Sequence, residues 1–128
     1  MKRWLPTLAA IIAWPVSALT APAPLPFRRP ARIETVESRI IRAALDVGVA
    51  PHVALSVAWR ESRLRPDVEH RNRNGSVDRG VMQLNSRWYP PMTWQENVDT
   101  GIAIIAEKTR KCGSEHTYFA YNRGHCPK

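Results

Sequence analysis

Between Thr35 and Val47 the apolar residues Val36, Ile40, Ile41, Ala44 and Leu45 recur at i, i+4, i+5, i+8 and i+9, which is the spacing of one helix face. Gly48 is a stop signal, and Pro51 suits the first turn of a second helix that runs to about Arg63. On that helix Ala54, Val57, Ala58 and Glu61 share a face through i+3 and i+4 steps. Asp67 to Arg79 is polar and charged and contains Asn74-Gly75, a hairpin dipeptide, so a small β-hairpin or loop is expected there. Gly80 to Arg87 is expected to form a short helix with Met82 and Leu84 partly inward, followed by the stiff connector Trp88-Tyr89-Pro90-Pro91-Met92. Thr93 with Glu96 makes a capping box for a helix from Trp94 to about Lys111, which buries Val98, Ile102 and Ile105. Gly101 on this helix would let another backbone approach closely. Cys112-Gly113 ends it, and Glu115 to Tyr121 is a last short helix. The pattern predicts a mainly α domain of about five helices.

The N-terminal end changes the picture. Lys2 and Arg3 precede an apolar run from Leu5 to Leu19 that is short for a membrane span, and Val16-Ser17-Ala18 offers small residues for an export peptidase. Residues 1–18 therefore read as a secretory signal peptide; the other reading, an uncleaved anchor, is opposed by Pro15. Residues 19–32 are Pro-rich and basic and read as an extended linker, so the folded domain is expected over 33–128. The chain carries a formal net charge of +8, which falls to +6 once Lys2 and Arg3 are removed with the signal. A basic exported protein meets an acidic partner in the cell wall; nucleic acid is the other reading, and no motif supports it.

Two cysteines in an exported chain predict one disulfide, Cys112–Cys126, worth roughly 3 kcal/mol in the chain-entropy account. His116 and His125 lie between them without zinc-ligand spacing, so no metal and no cofactor are expected.

The chemistry centres on Glu61. It closes the apolar run Val53 to Trp59, where burial disfavours a charged carboxyl and raises its pKa, and the C-terminal end of a helix adds to the effect. Such a Glu can give a proton to a leaving group near neutral pH. Asp78, in the polar Gly-containing loop, is placed to stay ionised. Two carboxyls in contrasting surroundings point to glycosidic bond cleavage. Taken alone, Glu61 reads first as an ion-pair partner of Arg60, Arg63 or Arg65, and the motifs downstream reverse that reading.

The residues around it carry a resemblance. Glu61-Ser62, Gly80-Val81-Met82-Gln83 and Ala120-Tyr121-Asn122-Arg123-Gly124, with Asn97-x-x-x-Gly101 as a fourth element, resemble the ordered motifs of soluble lytic transglycosylases, among them the small ones that serve secretion and conjugation systems. Asn72 to Gly80 and Gln83 to Trp88 also resemble c-type lysozymes. The resemblance covers roughly Ile33 to Gly124 and implies a lysozyme-like fold, helices around a cleft with the hairpin at its mouth, in a monomer acting on peptidoglycan in the periplasm or cell wall. It implies Glu61 as the acid and places Ser62, Met82, Gln83, Tyr121 and Asn122 at the glycan, with Asn85 in the same cleft. For Ser62 and Met82 the residues themselves equally allow a backbone-bonded hydroxyl and a core side chain.

The two resemblances part at Asp78. Transglycosylases of this kind work with one Glu and let the sugar's own 6-hydroxyl attack, leaving 1,6-anhydro ends; lysozymes use a second carboxylate and water. Asp78 is then either a turn residue, set across the cleft from Glu61, or the second carboxylate of a muramidase. A third reading is a wall-binding assembly protein that holds glycan without cutting it.

Overall fold

The computed structural model describes residues 33–128; the expected signal peptide, 1–18, and linker, 19–32, lie outside the described residues. Four α-helices and a three-stranded sheet follow in chain order: α1 Val36–Asp46, α2 Pro51–Ser62, β1 Glu69–Arg71, β2 Val77–Arg79, β3 Leu84–Asn85, α3 Trp94–Cys112 and α4 Thr117–Arg123, the last led in by a 3-10 turn at Ser114–His116. The helix starts are written locally. Thr35 caps α1 through the amide of Ser38, Pro51 opens α2, and Thr93 and Glu96 cap α3 reciprocally, each such cap worth about 1 kcal/mol. Helix α3, 19 residues long, is the spine, and α1 and α4 pack on it. Its buried face carries Asn97, Val98, Gly101, Ile102, Ile105 and Ala106, so the expected apolar stripe is present with a polar residue inside it. Ile40 and Ala44 of α1 and Ala54, Val57 and Ala58 of α2 complete the helical core; Ile41 and Leu45 of the expected stripe are exposed. Ion pairing of Arg39 with Asp99 ties α1 to α3.

The sheet is antiparallel in the order β1-β2-β3. The β1–β2 hairpin turns at Asn74-Gly75, as its sequence predicts, and Gly75 takes φ +84°. The helix expected over 80–87 does not form. Gly80 to Gln83 is a tight turn closed by the Gln83 amide on the Gly80 carbonyl at 3.2 Å, and β3 follows at once. Gly80 at φ +76° and Gln83 at φ 49° are both left-handed, which a continuing helix cannot accept. The turn is held from outside itself: the Met82 amide donates to Asn97 Oδ1 at 2.8 Å, and Asn97 Nδ2 donates to the Arg79 carbonyl at 3.0 Å. Gly101, one helical turn beyond Asn97, leaves room for Met82, because a Cβ at 101 would come within 2.5 Å of Met82 Cβ. The pair Asn97 and Gly101 thus docks the sheet onto the helical core. Among the described residues no helix is long and apolar enough to cross a membrane.

Candidate active site

Glu61 stands on the last turn of α2, and the helix stops there abruptly. Arg63 and Leu64 both adopt left-handed backbone, at φ 58° and 61°. Non-glycine residues pay for that conformation, and two in succession beside a carboxyl mark a site whose exit path is fixed by the surrounding packing. Ser62 is buried, and its hydroxyl donates to the Val81 carbonyl at 2.8 Å. The end of α2 and the Gly80–Gln83 turn are therefore pinned together directly behind Glu61.

Glu61 faces a cleft of about 750 Å³ that also receives Asp78, Gln83, Asn85, Tyr121 and Asn122. Burial holds the Glu61 carboxyl above its ordinary value, and the negative charge of Asp78 raises it further. Its Oε1 is closed off from solvent with no hydrogen-bond partner among the described residues. The ion-pair reading of Glu61 finds no support: among the described residues no pair to it forms, and the three neighbouring arginines are occupied elsewhere. Arg60 lies over the Tyr118 ring and Arg63 over Trp59, while Arg65 Nε donates to the Ser62 carbonyl at 3.3 Å. A buried polar oxygen without a partner costs stability, so its presence here marks a position kept for something other than packing.

Asp78 comes from the middle of β2. Its Oδ1 accepts from Asn85 Nδ2 at 2.6 Å and its Oδ2 from Asn72 Nδ2 at 3.0 Å. Both amides also donate to the hydroxyl of buried Ser76, at 3.0 and 3.1 Å, and that hydroxyl donates to Asn74 Oδ1 at 2.7 Å. The antiparallel pairing makes this possible, since Asp78 sits opposite Asn85 on β3. Asp78 is thereby held in a fixed orientation by a polar network inside the hairpin.

The remaining expected site residues divide. Tyr121 buries its ring and donates its hydroxyl to the Met82 carbonyl at 2.7 Å. Burial, with the charge of Glu61 behind it, holds its phenol well above the usual range, so it stays protonated. Gln83 reaches the cleft, but its Nε2 is spent on the carbonyls of Val68, at 3.1 Å, and Gly80, at 2.9 Å, leaving the amide oxygen for a ligand. Met82 and Ser62 do not reach the cleft. Met82 is fully enclosed and Ser62 is 3 % exposed, so Met82 is a core side chain whose carbonyl anchors Tyr121, and Ser62 is a brace. The motif pattern places them near the site without telling which way they point.

Four cleft residues escape the sequence reading. Trp88, 77 % exposed, presents its ring at the cleft, and Tyr89 lies beside it. Arg73 enters from the hairpin turn and Lys108 from α3. Trp88 carries a local signal, an aromatic beside a Pro-Pro connector; Arg73 and Lys108 carry none, because tertiary packing alone brings them there. With this geometry in place, comparison with known proteins gives one finding: the family model of the Transglycosylase SLT domain matches residues 38–128. Among curated proteins none matches the chain.

Proposed function

The chain belongs to the transglycosylase SLT domain family, whose general activity is on peptidoglycan outside the cytoplasm, and on that premise we propose that Glu61 alone cuts the MurNAc–GlcNAc β-1,4 bond and leaves 1,6-anhydro-MurNAc ends. The observation that carries this reading is the desolvated Glu61 carboxyl with an unpartnered oxygen in the cleft. Held protonated, Glu61 gives its proton to the glycosidic oxygen as the bond from that oxygen to C1 breaks. The resulting carboxylate then takes the proton of the MurNAc 6-hydroxyl, whose oxygen bonds to C1 and closes the anhydro ring. No water is consumed, and Glu61 ends protonated, as it began. Tyr121, whose phenol feels the Glu61 charge, is suited to orient the acid, while Gln83 offers its amide oxygen and Asn122 its amide to the sugar. Trp88 offers a face on which a pyranose ring can stack. The same proposal includes export through residues 1–18 and service to an envelope secretion or conjugation machine.

A second reading has one observation in its favour. Asp78 lines the same cleft and its charge reaches Glu61, which suits a lysozyme-type muramidase with Asp78 as second carboxylate. The double hydrogen bonding of Asp78 weighs against it, because a carboxylate engaged at both oxygens is a blunted nucleophile. Mass spectrometry of the muropeptides released from purified cell walls separates the outcomes: anhydro ends are expected, reducing ends would establish hydrolysis, and intact walls would leave a glycan-binding protein.

A further inference from the structure

The cleft carries a charge pattern that bond cleavage does not use. Arg73 stands on the β1–β2 turn and Arg123 closes α4, so the two guanidinium groups reach the cleft from different elements. Both are exposed, and neither forms an ion pair or a side-chain hydrogen bond among the described residues. Arg39, Arg42 and Arg79 are matched with Asp99 and Glu34, with Glu34, and with Glu69, and the other arginines without an ion pair, such as Arg71, Arg87 and Arg110, lie outside the cleft. Lys108 adds a third cation to the cleft and spends one proton on the Gly124 carbonyl at 3.0 Å. The carboxylates lining the cleft are Glu61 and Asp78, and Asp78 is committed to Asn72 and Asn85. Both side chains line the cleft while staying exposed to solvent, which sets the two guanidinium groups at its rim.

An uncharged sugar ring gives unpaired arginines nothing to bind ionically. Peptidoglycan differs from a plain glycan in the peptide stems that leave its muramic rings sideways, and those stems carry carboxylates. A guanidinium fits a carboxylate with two parallel hydrogen bonds. Resting on the reading of the cleft as a glycan site, we propose that Arg73 and Arg123 bind the stem carboxylates of peptidoglycan and make the protein select glycan with charged stems over the same glycan without charge.

The test is equilibrium binding of labelled glycan strands, free of attached phosphate polymers, to the Glu61→Gln protein, which leaves them uncut. Three strand preparations are used: stems intact, stem carboxylates converted to amides after the amines are acetylated, and stems removed so that only lactyl carboxylates remain. Intact strands are expected to bind about tenfold tighter than amidated ones, as two rim ion pairs can supply. Adding Arg73→Gln and Arg123→Gln should abolish that preference and leave the affinity for amidated strands unchanged, which also reports an intact fold. Arg60→Gln with Arg110→Gln removes the same charge outside the cleft and should keep the preference. The proposal is overturned if amidation makes no difference, if the rim and control pairs weaken binding alike, or if strands without stems bind as tightly as intact ones. Wild-type protein that cuts none of the three would sink the catalytic reading while the binding result stood on its own.

Discussion

At the scale of single residues the function turns on one proton. Glu61→Gln keeps the shape of the side chain and removes the acid, so lytic activity on cell walls should fall by about a hundredfold or more. The same variant tests the environment of the carboxyl. A group whose folded-state pKa is raised stabilises the fold fully below its unfolded value, and that stability is lost as pH rises through the folded value. Wild-type protein should therefore weaken between the ordinary Glu range and the raised pKa, and Glu61→Gln should not. Thermal melts should nearly coincide at pH about 4, and the variant should melt higher at pH about 8, since Glu titrates in solution near 4.3. Coincident melts at both would mean that the carboxyl is not desolvated. Asp78→Asn separates the mechanisms. Transglycosylation should leave at least about a tenth of the activity, a barrier change under about 1.4 kcal/mol. Loss of a nucleophile would cost about a thousandfold, or about 4 kcal/mol.

At the scale of elements the Gly80–Gln83 turn is the piece that assembles the site, and it is the piece the sequence misleads on. Val81, Met82 and Leu84 make a short apolar run that local periodicity cannot assign, because a buried turn and a buried helix look alike over so few residues. What decides it is Asn97, 15 residues later, whose side chain supplies the hydrogen bond to Met82 that a helix would supply from within. By contrast the capping box of α3 and the Asn74-Gly75 hairpin are legible because both partners lie within a few residues. The two-residue strand β3 is too short to leave a period, and so the Asp78–Asn85 pairing and the Asn72–Ser76 network stay hidden. Glu61 itself is legible, since an apolar helix face brings it inward; the inward turn of Met82 is not. Gly101→Ala tests the docking. Its methyl must displace Met82, a case of overpacking that costs about 1–3 kcal/mol. Activity should fall with stability, because the Met82 carbonyl also holds Tyr121. An unchanged melting temperature would show that the contact is slack.

At the scale of the molecule, one wall of the cleft depends on a covalent tie. Helix α4 has seven residues, too few to persist alone in water, and it carries Tyr121, Asn122 and Arg123. The Cys112–Cys126 disulfide, spanning 14 positions, joins the end of α3 to the tail beyond α4. Replacing both cysteines with serine should cost about 3 kcal/mol on the loop-entropy account. Lytic activity should fall in parallel at temperatures where the oxidised protein is still folded. A serine pair that melts and lyses like the wild type would place the support of α4 in its packing alone. The end of that helix also carries Arg123, so the bond that steadies the acid's neighbour steadies one of the rim charges as well.

The Met82 amide has one further consequence. Its hydrogen-bond acceptor belongs to α3 and not to its own turn, so its proton can pass to deuterium only when sheet and helix part. Amides of this kind exchange through an opening reaction, and the rate reports the free energy of that opening. The deuterium uptake of a single backbone position would thus serve as a gauge of how often the floor of the cleft comes undone, with glycan bound or without it.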